Sequence, residues 1–190
     1  MMKYPVLRFL LPHVLVTVLF ALISLVYFYP LLTFKYLEQS DIVQYKGMQR
    51  QILEHRAEFD EEPYWIDNAF VGMPTYQITA HYPYDLLRYL ETAFFFLPRP
   101  ADMLFLYLFF FYVFAQSRRF SKPVSVLGAF AYGFSSYYII ILMVGHNTKA
   151  MTLAYAPLVF LGLFQVLIDR KKWGIPVSYT HLTLPTRLSV

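Results

Sequence analysis

Residues 13–34 (HVLVTVLFALISLVYFYPLLTF) contain no Asp, Glu, Lys or Arg. Such a run exceeds the roughly 20 residues that a helix needs to cross the hydrocarbon core of a bilayer. Three further apolar runs follow, over 101–117, 123–144 and 150–168. The expected fold class is therefore an all-α polytopic membrane protein with about four transmembrane helices. The first run ends on Val26-Tyr27-Phe28-Tyr29-Pro30, which is bulky and offers no small-x-small cleavage site, so it reads as a retained anchor. Tyr27 and Tyr29 suit the membrane interface. In the third run Ser125, Ala129 and Gly133 stand four apart and form one small-residue stripe where another helix can pack closely.

Composition agrees with lipid as the solvent. Charged residues make up 15% of the chain, against about 25% in a soluble domain. The net charge of +4 does not indicate nucleic-acid binding, because the basic residues cluster at the ends of the apolar runs, where they read as topology. There are no cysteines, which excludes disulfides and thiolate metal sites.

The interval 35–100 is polar. It holds Glu38, Asp41, Glu54, Glu58, Asp60, Glu61, Glu62, Asp67, Asp85 and Glu91, all but two of the chain's acids. Residues 41–59 place Ile42, Tyr45, Met48, Ile52 and Phe59 on one face of an amphipathic helix. Residues 64–84, with Gly72, Pro74 and Pro83, read as an ordered loop with turns. Residues 84–97 predict an interfacial helix with Leu86, Leu87, Leu90 and Phe94 on one side. The basic residues Lys3 and Arg8, then Arg118, Arg119 and Lys122, then Arg170, Lys171 and Lys172 fall on one side of a four-span topology. The positive-inside rule makes that side cytoplasmic, with the N-terminus inside and the 35–100 loop and the 145–149 link outside.

Residues 177–186 (VSYTHLTLPT) have no relation to the pattern before them. They resemble, residue for residue, a translated transposon-end sequencing adaptor. The stretch 177–190 is therefore set aside as a non-native tail, and residues 1–176 are expected to be the N-terminal part of a longer multi-span domain.

Chemistry has few candidates. Asp41 follows the first span and would sit near the outer membrane surface. A carboxylate there can serve as general base toward an acceptor hydroxyl, or bind a divalent metal shared with a phosphate. Its plainer role is a helix N-cap, since Asp41 with Gln44 fits a capping box. His146, Asn147 and Lys149 lie on the same expected face. Lys149 could neutralise a lipid-linked phosphate, with His146 and Asn147 donating hydrogen bonds. The plainer reading is a tight turn, with Gly145 ending one helix, Thr148 capping the next and Lys149 reaching toward headgroups. Trp65, with Asp67, Asn68 and the run 72–77, could line a sugar-binding surface, although Trp and Tyr also favour the interface for their own sake. His55 and His81 are lone histidines without pattern. There is no Walker loop, dinucleotide fingerprint, zinc spacing or nucleophile elbow.

Three stretches carry a resemblance: Ser40-Asp41-Ile42-Val43-Gln44-Tyr45-Lys46-Gly47-Met48; Gly72-Met73-Pro74-Thr75-Tyr76-Gln77; and Gly145-His146-Asn147-Thr148-Lys149-Ala150 leading to Ala154-Tyr155-Ala156-Pro157-Leu158. In their order they resemble the N-terminal part of YfhO-like bacterial membrane proteins, over roughly residues 10–172. That family is regarded as similar to the GT-C class of glycosyltransferases, multi-span enzymes that take sugars from polyprenyl-phosphate carriers on the outer face. The resemblance implies a bacterial inner-membrane, multi-pass enzyme. It would move a sugar from a polyprenyl-phosphate donor to an envelope polymer or lipid acceptor, with Asp41 at the position of the family's acidic loop residue. One Asp stands there rather than an acidic pair, which leaves metal dependence open. Two other classes stay in view. A transporter or flippase would need charged groups within the spans, and none of the four has one away from its ends. A non-catalytic envelope-assembly protein would use the 35–100 loop to bind partners.

Overall fold

A computed structural model describes residues 5–33, 35–79 and 96–170 of the chain, with side chains from Arg8 onward. The predicted interfacial helix at 84–97 falls almost wholly outside these residues, as do His81 and the tail 177–190. Among the described residues the chain is mostly helical, with one two-stranded hairpin.

The first apolar run forms α1, Pro5–Tyr27, which starts earlier than the charge-free window and ends before Pro30. A 3-10 turn, Tyr29–Thr33, follows. The polar interval supplies α2, Ser40–Phe59. After it comes an antiparallel hairpin of β1, Trp65–Ile66, and β2, Met73–Pro74, where the sequence predicts turns alone. The bundle is completed by α3, Ala101–Ser117, α4, Lys122–Gly133, α5, Ser136–Val144, and α6, Asn147–Leu167. Two helices, over Arg8–Tyr27 and Asn147–Leu167, are long and apolar enough to cross a membrane. The pair α4 and α5 counts as a third span when taken together.

The expected span over 123–144 is a pair of helices with a break between them. It bends by 50° where α4 gives way to α5. Phe134 caps α4, and Ser135 leaves the helical region at φ −55° and ψ 132°. The Gly-Phe-Ser-Ser sequence at the break is the type of small, polar interruption that allows a sharp kink.

The core is organised around α3. Residues 101–108 are all buried, so this helix is enclosed on every side, as a helix that is apolar all round should be. It packs against α1, α4 and α6. At 17 residues it is a shorter apolar helix than the two long enough to cross a membrane. The small-residue stripe of α4 faces it: Ser125, Ala129 and Gly133 are all buried. A Cβ on Gly133 would stand 2.7 Å from Leu108 Cδ2, so the close approach depends on glycine there. Phe20 of α1 meets the ring edges of Tyr112 and Phe130.

Two polar details show how the bundle satisfies its backbone. Pro157 inside α6 has no N–H, which strips the carbonyl of Leu153 of its helical donor. The Tyr132 hydroxyl donates to that carbonyl at 2.5 Å. At the start of α3, Asp102 is 1% exposed. It accepts from the Met103 amide at 2.7 Å and from Arg99 Nε at 3.3 Å. A buried acid thus lies inside the second apolar run, at its first turn, where the helix dipole favours a negative charge.

A second, smaller core lies between α2 and the hairpin. Ile52, Ile66, Ala69 and Ile78 are buried there, with Tyr45, Met48 and Met73 packed on them. Phe59, predicted on the same face, is instead exposed with its ring against His55. Gln51 Oε1 accepts from the amides of Asp67 and Asn68, and the Asn68 carboxamide donates to the carbonyls of Gly47 and Met48. The loop is therefore strapped to α2 through side-chain amides.

Candidate functional site

The start of α2 and the link between α5 and α6 come together in space. Helix α5 ends on Gly145, whose φ of 97° lies in the left-handed half of the map. Glycine is needed there for a second reason: a Cβ would meet Gln39 Cβ at 2.8 Å and Ile42 Cγ1 at 3.1 Å. Gln39 immediately precedes α2, and its Nε2 donates to the Leu142 carbonyl at 2.6 Å. The last turn of α5 is thus hydrogen-bonded by a residue more than a hundred positions earlier.

This docking places Asp41 against His146. Asp41 Oδ2 and His146 Nδ1 form a short, direct contact. His146 is held firmly by its own backbone. Its N–H donates to Ile141 at 3.2 Å, and its carbonyl accepts from Ala150 at 2.8 Å. It forms the N-terminal boundary of α6. Asp41 lies in the first turn of α2. Two helix N-termini, each with a partial positive charge, therefore converge where the acid and the imidazole meet.

The capping expectations are corrected here. The N-cap of α2 is Gln39, and no side chain caps that end. Asp41 lies two residues past that cap, and its carboxylate turns to His146 instead. Thr148 likewise does not cap α6, which begins at Asn147 with His146 at the cap position. Gly145 does end its helix as expected.

The other candidates are distributed unevenly. Asn147 belongs to the first turn of α6, and its amide donates to the Gly145 carbonyl at 2.7 Å. Lys149 is exposed one turn into α6, with Nζ 5.1 Å above the Tyr137 ring. Tyr137 contacts Tyr138, which in turn meets both Tyr132 and Tyr107. These tyrosines lead from Lys149 into the bundle and end on Tyr107, whose buried hydroxyl has no hydrogen-bond partner among the described residues. The apolar pattern concealed them, because tyrosine in an apolar run reads as core. Trp65 is not part of the Asp41–His146 cluster by any hydrogen bond or ring contact. It sits on β1 with its indole over Gly72, where a Cβ would lie 2.7 Å from Nε1. Asn68, grouped with Trp65 as a sugar contact, spends its carboxamide on the α2 backbone.

Among the described residues no group of three or more His, Cys, Asp or Glu side chains is placed to hold a metal ion. Asp41 and His146 offer two donors side by side, short of a full ligand set. What they do form is an oriented carboxylate–imidazole pair, an arrangement suited to accepting and holding a proton. At the far end of α6, Arg118 Nη1 reaches Asp169 Oδ2 at 3.0 Å and its guanidinium lies over Phe164. The 118 and 169 ends thus meet at the end of the bundle opposite His146. No protein-family model, curated protein or solved structure matches the chain.

Proposed function

We propose that the chain is part of a membrane-embedded glycosyltransferase acting at the outer face of a bacterial inner membrane. In this reading a sugar passes from a polyprenyl-phosphate donor to a hydroxyl of a cell-envelope polymer or lipid, and the Asp41–His146 pair receives the proton that the acceptor loses. Lys149, with Asn147 beside it, would neutralise the donor phosphate as a point charge. The reading places the N-terminus and the basic ends in the cytoplasm, with four crossings formed by α1, α3, the bent pair α4–α5, and α6.

The observation that supports it most is the contact of Asp41 with His146. Two residues singled out separately for chemistry meet at the end of the bundle, on the face that charge asymmetry assigns to the outside. An exposed lysine stands one turn from the histidine. The likeness to YfhO-like proteins points the same way. A transport role gains little, because the buried acid Asp102 is committed to Arg99 and to the first turn of its own helix. Asp41→Asn in the full-length protein is expected to remove sugar transfer from an undecaprenyl-phosphate-linked hexose while expression stays normal. Unchanged transfer by that variant defeats the assignment of Asp41, and with it the main support for an enzyme.

A further inference from the structure

The Asp41–His146 contact is made through one particular nitrogen, and that fixes more than proximity. A carboxylate can only accept, so an ionised Asp41 facing Nδ1 requires the proton on Nδ1. In the neutral imidazole the lone pair then belongs to Nε2. That nitrogen has no hydrogen-bond partner among the described residues, and the His146 side chain is 40% exposed. Asp41 is the more enclosed of the two at 21%, with Oδ2 occupied by His146 and Oδ1 3.4 Å from Ser40 Oγ. An incoming hydroxyl would meet the imidazole before it met the acid.

We infer that His146 Nε2 is the proton acceptor of this site and that Asp41 is a positioning residue acting through His146. The inference rests on the glycosyl-transfer reading for its substrate, but its geometric part does not. In the step it implies, the acceptor oxygen forms a bond to the anomeric carbon as the bond from that carbon to the phosphate oxygen breaks. The electron pair of the broken bond leaves with the polyprenyl phosphate. The hydroxyl proton passes to Nε2, and the resulting imidazolium is balanced by the Asp41 carboxylate. This reverses the simpler division of labour, in which Asp41 takes the proton and His146 only binds phosphate.

The two divisions separate on measurable quantities. In full-length protein reconstituted in nanodiscs with 15N-labelled histidine, the His146 signal (identified by its loss in His146→Gln) is expected to show the Nδ1–H tautomer. In Asp41→Ala it should shift toward the Nε2–H form that a free histidine side chain prefers. With undecaprenyl-phosphate-linked hexose as donor, His146→Gln should lower kcat by about 10²–10⁴-fold and leave KM for the donor unchanged. A raised KM at nearly normal kcat makes His146 a phosphate ligand and overturns the inference. So does an Nε2–H tautomer in the unaltered protein, whatever the assay gives. If the Nδ1–H tautomer is found and depends on Asp41 but the unaltered protein transfers no sugar, the positioning of His146 stands and the glycosyl-transfer reading fails.

Discussion

In the bundle, eight successive residues of α3 lose nearly all contact with solvent; between α2 and the hairpin, four apolar side chains among the described residues do, with Thr75 beside them. The first region is held by enclosure. Its helices approach closely because Gly133 and its neighbours on α4 leave room for Leu108. The second has a core too small to hold it alone and adds polar straps, chiefly Gln51 to the loop amides and Asn68 to the helix carbonyls. A further set of contacts, around Gly145 and Gln39, ties that layer to the bundle, and the candidate site lies at this joint. A site placed where a weakly buried layer meets a strongly buried one can be perturbed from either side without collapse of the whole.

Ile52→Ala should expose the difference most sharply. Ile52 is 0% exposed and central to the small core. Truncation of a buried Ile costs about 2–5 kcal/mol, a large share of what four buried side chains can supply. Limited proteolysis of the reconstituted protein should then cut within residues 40–79, while helical circular dichroism from the bundle persists. Loss of the bundle in parallel would mean that the two regions fold as one unit.

Gly145→Ala should have the next largest effect, and it acts on the joint. The new Cβ carries left-handed strain of about 1–2 kcal/mol and also meets Gln39 at 2.8 Å. One consequence is relieved only by moving α2 away. Hydrogen exchange at amides 43–45, the first bonded ones of α2, should rise, and the Asp41–His146 contact should loosen, with Ile52 still protected. If exchange stays at its original level, α2 is held to the bundle by more than this joint.

The sequence disclosed these regions unequally, for physical reasons. Charge-free length is sufficient to mark α1 and α6, because no soluble loop tolerates it. The stripe of Ser125, Ala129 and Gly133 was legible because helical period puts residues four apart on one face. The bend between α4 and α5 was not, since an apolar window measures hydropathy and is blind to a backbone break at Phe134 and Ser135. Asp41 and His146 could each be singled out, and topology could assign them to one face, but spacing holds no information about a contact across 105 positions. That contact depends on Gln39, a residue with no chemical signature, reaching Leu142. The capping box at Asp41 misled for a related reason: its spacing fitted, yet the helix is capped two residues earlier, at Gln39, and a partner from elsewhere claimed the carboxylate.

The smallest effect should come from Arg50→Ala, and its smallness sharpens the comparison. Arg50 bonds Glu54 at 2.7 Å one turn along α2, with side chains 79% and 61% exposed. The hydrogen bond and charge of Glu54 raise the guanidinium above its ordinary range. Arginine is already protonated at every pH where the protein would be handled, so the raised value confers no pH dependence. Water and salt screen so exposed a pair, and the long side chains lose freedom in forming it. Proteolytic resistance of residues 40–79 should therefore match that of the unaltered protein at low and high salt alike. A clear, salt-sensitive loss of resistance would show that surface charge on α2, and not only Ile52 and the amide straps, keeps the polar layer in place.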